Sequence, residues 1–454
     1  MPIKISNEVK YHIITFGCQM NKSDSERIGW VLEKIGCQAT DKISSADLII
    51  INMCSVRQSA VDRVYGLIEK IKPGKQKIIL TGCILPPDKR KMENRVDLIF
   101  DIRNLSKLPF LLKLVKSENK FANYLSLSPL RASTFSAYVP VMTGCNNFCA
   151  YCVVPYTRGK EISRPVKEII KEIKCLIKKG YKEIILLGQN VNSYQGKIKN
   201  QKSKNLKMEK YVDFADLLGL IDNLPDNFWL TFITSHPKDL SDKLIKVMAS
   251  GKKIMPYLHL PVQSGDNEIL KKMNRGYTVK DYKNLVRKIR DKIKTINIST
   301  DIIVGFPGET KNQFNNTIKL MKWAKFDMVY IARYSPRPGT VAANLKDNIS
   351  SEEKKEREKI LTDILKKTAL GNNKKYINKT IEILIEKRIK DNSFLGKTKT
   401  FKNVKIQLPR STKSSKGQKA LDRFLKIGRF YKCQINEANV WGLKGKFKTL
   451  RKNS

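Results

Sequence analysis

Three cysteines lie close together in the loop GCNNFCAYC, at Cys145, Cys149 and Cys152, and are termed the loop cysteines. Their C-x3-C-x2-C spacing offers three thiolates to one soft metal centre. A tetrahedral zinc site takes four ligands, and no further Cys or His follows within the next twenty residues. A 4Fe–4S cluster held by three thiolates keeps one iron open for a small molecule, and the spacing favours this interpretation. A C-x2-C redox pair and a partial zinc site are the alternatives.

Three further cysteines each end a short apolar run that is rich in isoleucine. The runs YHIITFGC, DLIIINMC and KIILTGC end at Cys18, Cys54 and Cys83, which we term the strand-end cysteines. Such runs with helical segments between them predict a parallel βαβ sheet. Ligand sites in these sheets lie at the carboxyl ends of the strands, so we expect the three thiols to converge; chance placement of buried cysteines is the alternative. The remaining cysteines are interpreted as ordinary thiols: Cys37, Cys175 and Cys433.

From about residue 135 the chain alternates strand-like and helix-like segments. Amphipathic stretches such as RPVKEIIKEIKCLIKKG are typical of the helices in this alternation. Six strand–helix units predict a partial (β/α)6 barrel of the α/β class, with the loop cysteines directly after the first strand. Active sites of such barrels gather at the carboxyl ends of the strands. The candidate strands are 137–143, 183–188, 229–234, 257–261, 297–305 and 328–334.

Polar residues directly after the other strands are candidates for the same site, although each of them could instead satisfy backbone groups of its own loop. Arg333 and Arg337, after the last strand, are suited to a phosphate or a carboxylate. The chain has only three histidines, which disfavours a histidine-ligated metal. The candidates are Gln189, Asn190, Ser235, His236, Gln263, Ser264, Asp301 and the turn GFPGET (305–310).

The C-terminal segment 380–446 contains short β-like runs such as TIEILIEK, VKIQLP and FYKCQINEA. About five such strands predict a small all-β barrel of the OB kind, a frequent RNA-binding fold. Phe394, Phe401 and Trp441 could stack on bases or pack in the core. The run STKSSKGQK (411–419) predicts a flexible basic loop.

Composition indicates a globular protein of several domains. The 454 residues include 41% hydrophobic and 8% aromatic residues, enough for two to four packed cores. The start of the chain has no long apolar segment of the kind found in signal peptides, and runs such as DLIIIN are too short to cross a membrane. Nine cysteines fit a reducing compartment, where thiols bind metals more often than they form disulfides. We therefore expect a cytoplasmic protein without membrane association.

The net charge of +46 favours a polyanionic partner, and nucleic acid is the obvious one. Part of this charge is general lysine bias, as in the segment 197–210. The distribution is informative, because residues 371–454 contain 23 Lys or Arg and 5 Asp or Glu. This excess predicts a nucleic-acid-binding module at the C-terminal end.

Longer motifs make the pattern specific. The chain contains, in this order, TFGCQMNKSDSE, NMCSVRQSA, GCNNFCAYCVVPYTRGKEISRP, LLGQNVNSY, TSHP, LHLPVQSGDNEILKKMNRGYT, STDIIVGFPGET and YSPRPGTVAA. Together they resemble the radical S-adenosylmethionine (SAM) methylthiotransferases, most closely the MiaB-type enzymes that act on tRNA. The resemblance extends from about residue 11 to about residue 446, and VVPYTRGKEISRP with the SVR after Cys54 favours the tRNA branch.

The resemblance implies an N-terminal cluster-binding domain (9–125), a radical-SAM barrel (131–368) and a C-terminal TRAM RNA-binding domain (371–449). It also implies that the loop cysteines bind a 4Fe–4S cluster to which SAM attaches, and that the strand-end cysteines bind a second 4Fe–4S cluster. Tyr151 occupies the aromatic position that lies beside the adenine of SAM in the superfamily. The expected SAM contacts are Tyr151, Gln189, Asn190, Gln263 and Asp301.

The implied reaction transfers a methylthio group to C2 of N6-dimethylallyladenosine at position 37 of tRNA, giving 2-methylthio-N6-dimethylallyladenosine. The hydrogen at C2 is not acidic, so a radical rather than a side-chain base must remove it. The implied partners are the tRNA anticodon loop and an electron donor such as flavodoxin or ferredoxin, and we expect a monomer.

Two other hypotheses remain open from the sequence. The first keeps the chemistry and changes the acceptor, to threonylcarbamoyl-adenosine of tRNA or to an aspartate of a ribosomal protein. The strong basicity argues against the protein acceptor but not against the other nucleoside. The second is an iron–sulfur RNA-binding protein without enzymatic activity. Two separate sets of three cysteines argue against it, because structural clusters usually have all four irons ligated.

Overall fold

The computed structural model describes residues 9–56, 58–71, 75–115, 124–198, 210–389, 393–407 and 425–447. The basic run at 411–419 and most of the lysine-rich segment 197–210 lie outside these residues. Among the helices in the described ranges, none combines the length and the apolar character needed to cross a bilayer.

The first part of the chain forms a five-stranded parallel sheet of order β2-β1-β3-β4-β5. Strand β3 is buried along its whole length, which explains why its sequence lacks the polar alternation of a half-exposed strand. Leu48 and Ile50 pack into the core on one face of the sheet, and Ile49 and Ile51 into the core on the other. The elements are β1 (Lys10–Thr15), α1 (Gln19–Lys34), β2 (Gln38–Ala39), β3 (Leu48–Cys54), α2 (Gln58–Ile71), β4 (Lys77–Cys83), α3 (Pro86–Met92), β5 (Leu98–Ile99) and α4 (Leu108–Leu111).

The register of this sheet decides where the strand-end cysteines lie. Cys54 and Cys83 are the last residues of β3 and β4 and are directly paired across the parallel ladder. Cys18 is the residue before α1, in the turn that follows β1. The three thiols are therefore at the carboxyl ends of three neighbouring strands, as the apolar runs predict.

The central part contains the six predicted parallel strands, with the first of them broken after Pro140. They form two three-stranded sheets, β6-β9-β12 and β13-β14-β15, and a bridge between Leu230 and Ile254 links the two. No ladder among the described residues joins β15 back to β6, so the barrel is open. The strands are β6 (Ser136–Pro140), β7 (Met142–Thr143), β8 (Ile162–Ser163), β9 (Glu183–Leu187), β10 (Gln195–Ile198), β11 (Lys210–Asp213), β12 (Trp229–Ile233), β13 (Tyr257–His259), β14 (Asn297–Val304) and β15 (Met328–Arg333).

Helices cover the outside of these strands and pack on a continuous apolar core. The predicted amphipathic stretches become α6 and α10, and α10 begins with a capping box in which Thr278 and Asp281 satisfy each other's backbone amides. The helices are α5 (Val154–Arg158), α6 (Val166–Lys178), α7 (Phe214–Asp222), α8 (Asp242–Ser250), α9 (Asn267–Lys272), α10 (Val279–Lys292), α11 (Lys311–Ala324) and α12 (Ser351–Lys374).

The last part of the chain is a closed five-stranded barrel of order β16-β17-β18-β20-β19, which confirms the predicted OB-like architecture. Register shifts near Ile385 and Ile435 mark β-bulges, which bend strands enough to close a small barrel. The strands are β16 (Thr380–Ile389), β17 (Ser393–Thr398), β18 (Asn403–Gln407), β19 (Phe430–Asn439) and β20 (Gly442–Phe447).

This barrel packs against the amino-terminal ends of the central strands, opposite to the loop cysteines. Trp229, at the start of β12, lies 4.8 Å from Phe430 between ring centroids. Phe401 stacks on Tyr257, at the start of β13, with centroids 4.3 Å apart. Of the three aromatic residues considered for base stacking, Phe401 is thus part of this packing.

The other two aromatic residues differ in exposure. Phe394 belongs to the barrel core, whereas Trp441 is 52% exposed. Trp441 is therefore the one of the three whose ring is available to a base.

A buried ion pair also fixes the barrel to the central strands. Lys397 of β17 lies 2.8 Å from Glu183 at the start of β9 and 2.7 Å from Glu386. Glu183 is completely buried, so its charge depends on this partner.

We predict that Lys397→Met destabilises the protein by about 3–5 kcal/mol, because it leaves the carboxylate of Glu183 buried without a cation. Lys446→Met, which changes an exposed lysine of the same barrel, is the control and should stay within about 0.5 kcal/mol. Thermal and urea unfolding of the cluster-free chain measures both. Equal stability of the two variants would show that the ion pair does not hold the barrel in place.

Candidate active site

The loop that carries the loop cysteines is fixed on two sides. At its start, Gly144 has a φ of +83° and packs so closely on the Lys160 carbonyl that a Cβ atom would overlap it. The Gly144 amide donates to Gln189 Oε1 at 2.7 Å, so the side chain of Gln189 holds the loop. On the other side, the Ala150 amide donates to the carbonyl of Met273 at 3.0 Å. The cysteines are therefore presented by a rigid loop at the carboxyl end of the first strand.

Burial controls the chemistry of these thiols. It raises the pKa of Cys152 to about 12, with a further contribution from Cys149, and it also raises the pKa of Cys145. Such thiols stay protonated at neutral pH unless a cation binds them. Cations that coordinate sulfur deprotonate the thiol outright, so the donor set fits a metal centre.

The described side chains do not form a single-ion metal site. The described residues bring no group of three His, Cys, Asp or Glu side chains into the geometry of a single-ion site. Thiolates that bind different irons of one cluster lie further apart than thiolates that share one ion.

Arg275 is a functional candidate that the sequence analysis did not single out. Its Nη1 lies 3.2 Å from Cys149 Sγ and 3.4 Å from the Tyr151 hydroxyl. Its Nη2 donates to the carbonyl of Pro261 at 2.9 Å, and the residue is 4% exposed. A buried guanidinium therefore lies against one of the loop cysteines. Its position in the quoted motif NRGYT was the only signal in the sequence.

Several buried polar atoms around the loop have no hydrogen-bond partner among the described residues. Leaving such an atom unpaired costs about 1–3 kcal/mol, so the group fits a polar ligand that supplies the missing partners. Two of the predicted contacts, Asn190 and Gln263, belong to it. The atoms are Thr143 Oγ1, Asn190 Oδ1, Ser235 Oγ, His236 Nε2 and Gln263 Oε1.

The protonation of His236 is fixed by its surroundings. Burial, together with the charge of Arg275, lowers the pKa of His236 to about 3, so the ring is neutral. Its Nδ1 accepts the amide of Lys238 at 3.3 Å, which places the proton on Nε2. The unpaired atom is therefore a donor for a ligand acceptor.

A cavity of about 800 Å³ opens beside the loop. Its lining includes Cys152 together with three of the predicted cofactor residues, Tyr151, Gln263 and Asp301. Val56, two residues after Cys54, lines it from the N-terminal sheet. The cavity thus lies between one of the loop cysteines and the segment that follows Cys54, and its size is in the range of ligand sites.

Asp301 is oriented by a short chain of polar contacts between side chains. Its Oδ2 lies 3.4 Å from His259 Nε2, and His259 Nδ1 lies 2.9 Å from Ser299 Oγ. Ser299 is in turn hydrogen-bonded to the Tyr257 hydroxyl at 2.8 Å. The carboxylate is thereby held at the cavity wall by residues of β13 and β14.

The strand-end cysteines converge around Asn21. Asn21 Oδ1 lies 3.5 Å from Cys18 Sγ and 4.0 Å from Cys83 Sγ. A Cβ on Gly17, which has a φ of +121°, would approach the Cβ of Cys54 to 2.8 Å, so the turn before Cys18 needs glycine to lie this close. Burial raises the pKa of Cys54 to about 12, with the neighbouring Cys83 adding to it. These thiols, like the loop cysteines, fit a metal centre.

A pair of asparagines holds the first turn of α1 against β3. Asn21 Nδ2 donates to Asn52 Oδ1 at 3.0 Å and to the carbonyl of Met53 at 2.9 Å. Asn52 Nδ2 returns a hydrogen bond to the carbonyl of Asn21 at 2.7 Å. The position of Cys18 relative to Cys54 is fixed by this exchange.

Two buried arginines join the central barrel to the N-terminal sheet. Arg158, at the end of α5, lies 2.7 Å from Asp24 of α1. Arg337, after β15, lies 2.6 Å from Asp88 of α3 and also contacts Gln58. Arg337, a sequence candidate for a phosphate or a carboxylate, is therefore engaged by a carboxylate of the chain itself.

We predict that the two cysteine sets bind iron independently. Anaerobically reconstituted protein should hold about eight irons as two 4Fe–4S clusters, and Cys149→Ala and Cys54→Ala should each lose about half of them. Cys175→Ala, which removes an exposed thiol of α6, is the control and should keep all the iron. A Cys54→Ala protein with full iron content would contradict the second site.

Comparison with known proteins places this geometry in a family. Residues 139–321 match the family model of the radical SAM superfamily, and residues 10–101 match that of the uncharacterized protein family UPF0004. The fold is similar to that of the radical S-adenosylmethionine methyltransferase TsrM from Kitasatospora setae, with a TM-score of 0.51, 12% identity and coverage of 74% of each chain.

Curated relatives match over nearly the whole chain. The tRNA-2-methylthio-N(6)-dimethylallyladenosine synthase of Acetivibrio thermocellus is 38% identical over 98% of this chain and 92% of that protein. The synthases of Clostridium novyi and Carboxydothermus hydrogenoformans are each 40% identical, over 96% of this chain and 96% and 99% of theirs. The resemblance seen in the motifs is thus confirmed, and the chain belongs to the tRNA-2-methylthio-N6-dimethylallyladenosine synthase family of radical-SAM enzymes.

Proposed function

We propose that this chain transfers a methylthio group to C2 of N6-dimethylallyladenosine in tRNA, giving 2-methylthio-N6-dimethylallyladenosine. It is a radical-SAM enzyme that uses SAM and a 4Fe–4S cluster. The observation that carries the function is the cavity lined by Cys152 and by residues that follow Cys54, in a chain that matches the synthases along its length.

The loop cysteines would hold the 4Fe–4S cluster, with Tyr151, Asn190, Gln263 and Asp301 around the bound SAM. This assignment is supported by the buried thiols and by the unpaired atoms of Asn190 and Gln263. It is also supported by the position of Tyr151 and Asp301 in the cavity wall. When bound, the cluster and SAM supply the radical that removes the hydrogen from C2. The part of the chain is to bind and orient SAM and to exclude water. Gln189, whose oxygen holds the loop, would also contact SAM.

The strand-end cysteines would hold a second 4Fe–4S cluster, beside which the sulfur to be transferred is bound. The convergence of three thiols from separate strands supports this, as does the exposure of Cys18, which leaves one side of the site open.

The cavity wall favours the dimethylallyl acceptor over threonylcarbamoyl-adenosine. Every Lys or Arg in its described lining already has a carboxylate partner: Arg333 with Glu358, Arg337 with Asp88, and Lys354 with Asp347. A threonylcarbamoyl group carries a carboxylate that would need a cation.

The apolar part of the wall fits the dimethylallyl group. Val56 and Tyr330 are 46% and 47% exposed and line the cavity. Apolar side chains that are exposed in a cavity gain free energy by covering an apolar substituent.

The C-terminal barrel would bind the tRNA through a row of lysines. Lys405 of β18 and Lys444 of β20 are direct neighbours in the parallel ladder, and Lys446 and Lys432 continue the row on β20 and β19. Lys444 is already paired with Glu437 at 2.9 Å, so an anionic partner would chiefly contact Lys405, Lys446 and Lys432, whose like charges on neighbouring strands repel. The exposed Trp441 lies at the turn between β19 and β20.

The remaining expectations complete the proposal. The domains would be 9–125, 131–368 and 371–449, acting in the cytoplasm as a monomer with an electron donor such as flavodoxin or ferredoxin. The domain bounds are supported by the N-terminal sheet, the central parallel strands and the C-terminal barrel, which occupy successive parts of the chain, and the cytoplasmic location is supported by the reducing conditions that exposed thiols and clusters require.

Nucleoside mass spectrometry of tRNA tests the reaction. Expression in a host without its own methylthiotransferase should produce 2-methylthio-N6-dimethylallyladenosine. Cys149→Ala should abolish SAM cleavage, whereas Cys54→Ala should still form 5′-deoxyadenosine and yield no methylthio product. A methylthio product from Cys54→Ala would contradict the assignment of the strand-end cysteines, and a methylthio group found only on threonylcarbamoyl-adenosine would contradict the acceptor.

Charge reversal on the barrel tests the tRNA surface. Lys405→Glu/Lys446→Glu should weaken tRNA binding and reduce the slope of log affinity against log salt by about 2, since each lost phosphate contact removes about one. Lys171→Glu/Lys178→Glu, the same change of charge on two exposed lysines of α6, is the control. Equal effects of the two pairs would indicate general electrostatics rather than this face.

A further inference from the structure

One side chain of the central barrel reaches the strand-end cysteines. Arg158 is the last residue of α5, the helix that begins two residues after Cys152. Its Nε lies 3.0 Å from Cys83 Sγ, and the residue is 2% exposed. The segment that carries the loop cysteines therefore also supplies a direct contact to the other cysteine set.

The surroundings of Arg158 keep it charged and aimed at the sulfur. Its Nη2 donates to Asp24 Oδ2 at 2.7 Å and lies 3.4 Å from Asn21 Oδ1, and its Nη1 lies 3.4 Å from the Tyr124 hydroxyl. Arginine stays charged in proteins, and the ion pair with Asp24 compensates the buried guanidinium. The guanidinium is thus a fixed positive charge that donates to the sulfur.

The loop cysteines have the same arrangement. Arg275 Nη1 lies 3.2 Å from Cys149 Sγ and is equally buried. Each cysteine set therefore contains one sulfur that faces a buried guanidinium from a distant part of the chain. The repetition indicates that the contact serves the chemistry of the sulfur and not only the joining of modules.

We propose that Arg158 is a positioning residue that raises the reduction potential of the cluster held by the strand-end cysteines. This inference rests on the proposed second cluster. Hydrogen bonds to the sulfurs and local charge are among the levers by which a protein sets the potential of an iron–sulfur cluster. A positive charge and an N–H···S contact both stabilise the more negative, reduced state, so the potential rises.

Asp24 has the opposite effect on the reduction potential, because it offsets the charge of Arg158. Its carboxylate is completely buried and offsets the charge of Arg158 near Cys83. Removing the charge of Arg158 should therefore lower the potential, whereas removing the charge of Asp24 should raise it. Damage to the interface alone would shift both variants in the same direction, because both break the same ion pair.

The experiment is an EPR-monitored redox titration of the reconstituted full-length chain. Cys149→Ala serves as the parent, so that the signal comes from the strand-end cysteines alone. Arg158→Met should shift the midpoint to lower potential and Asp24→Asn to higher potential. Arg158→Lys, which keeps the charge but not the Nε–H geometry, should lie between Arg158→Met and the parent. Iron content is measured for every protein.

The outcomes distinguish failure of the proposed role of Arg158 from failure of the proposed second cluster. Midpoints that stay unmoved or shift together, with iron content equal to that of the parent, would overturn the role of Arg158 and leave the second cluster standing. A parent without iron or signal would overturn the second cluster and this inference with it. If Arg158→Met does not fold, Asp24→Asn still decides, because a midpoint that does not rise contradicts the proposal.

Discussion

A thiol enclosed by apolar strands does not ionise at neutral pH unless positive charge lies beside it. Burial raises the pKa of Cys54 and Cys152 to about 12, and each cysteine set also contains a sulfur that faces a buried guanidinium. Parallel strands bury the thiols, and the carboxyl ends of these strands form the edge of the sheet where separate elements meet. The remaining architecture holds two such edges face to face across one cavity.

Buried ion pairs hold the N-terminal sheet and the central barrel together. Such pairs add little net stability, because desolvation opposes the attraction, but they tolerate few alternative geometries. Arg158 with Asp24 and Arg337 with Asp88 bind the N-terminal sheet to the barrel at two points. The separation of the cysteine sets is thereby set by side chains of defined length, together with the apolar contact of Met20 with Ile185 and Leu187.

Local patterns in the sequence were sufficient to predict the helices and strands but not the contacts between residues that are far apart in the chain. Isoleucine-rich runs predicted β3 and β4, and the cysteines that end them were expected to meet, because parallel register alone brings strand ends together. Arg158 and Cys83 are 75 residues apart, and such a pair leaves no periodic signal. Gln189 is expected at SAM, and its oxygen also accepts the Gly144 amide; a polar residue after a strand looks the same in either role, so the contact with SAM stays a prediction. The packing of the C-terminal barrel on the amino-terminal ends of the central strands could not be predicted either, because nothing in the sequence distinguishes Lys397 from the many other lysines.

The ion pair between Glu183 and Lys397 also has a consequence for biosynthesis. The two residues are 214 positions apart, so the ribosome completes the central strands long before the lysine exists. Until then, the carboxylate must stay hydrated and Trp229 lacks its cover, and the nascent barrel remains open at its lower end. Domains fold in order of synthesis, but this one reaches its final packing only when the strands of the C-terminal barrel have been made. A chain truncated before them would leave Glu183 and Trp229 uncovered, and we expect it to be open to proteolysis.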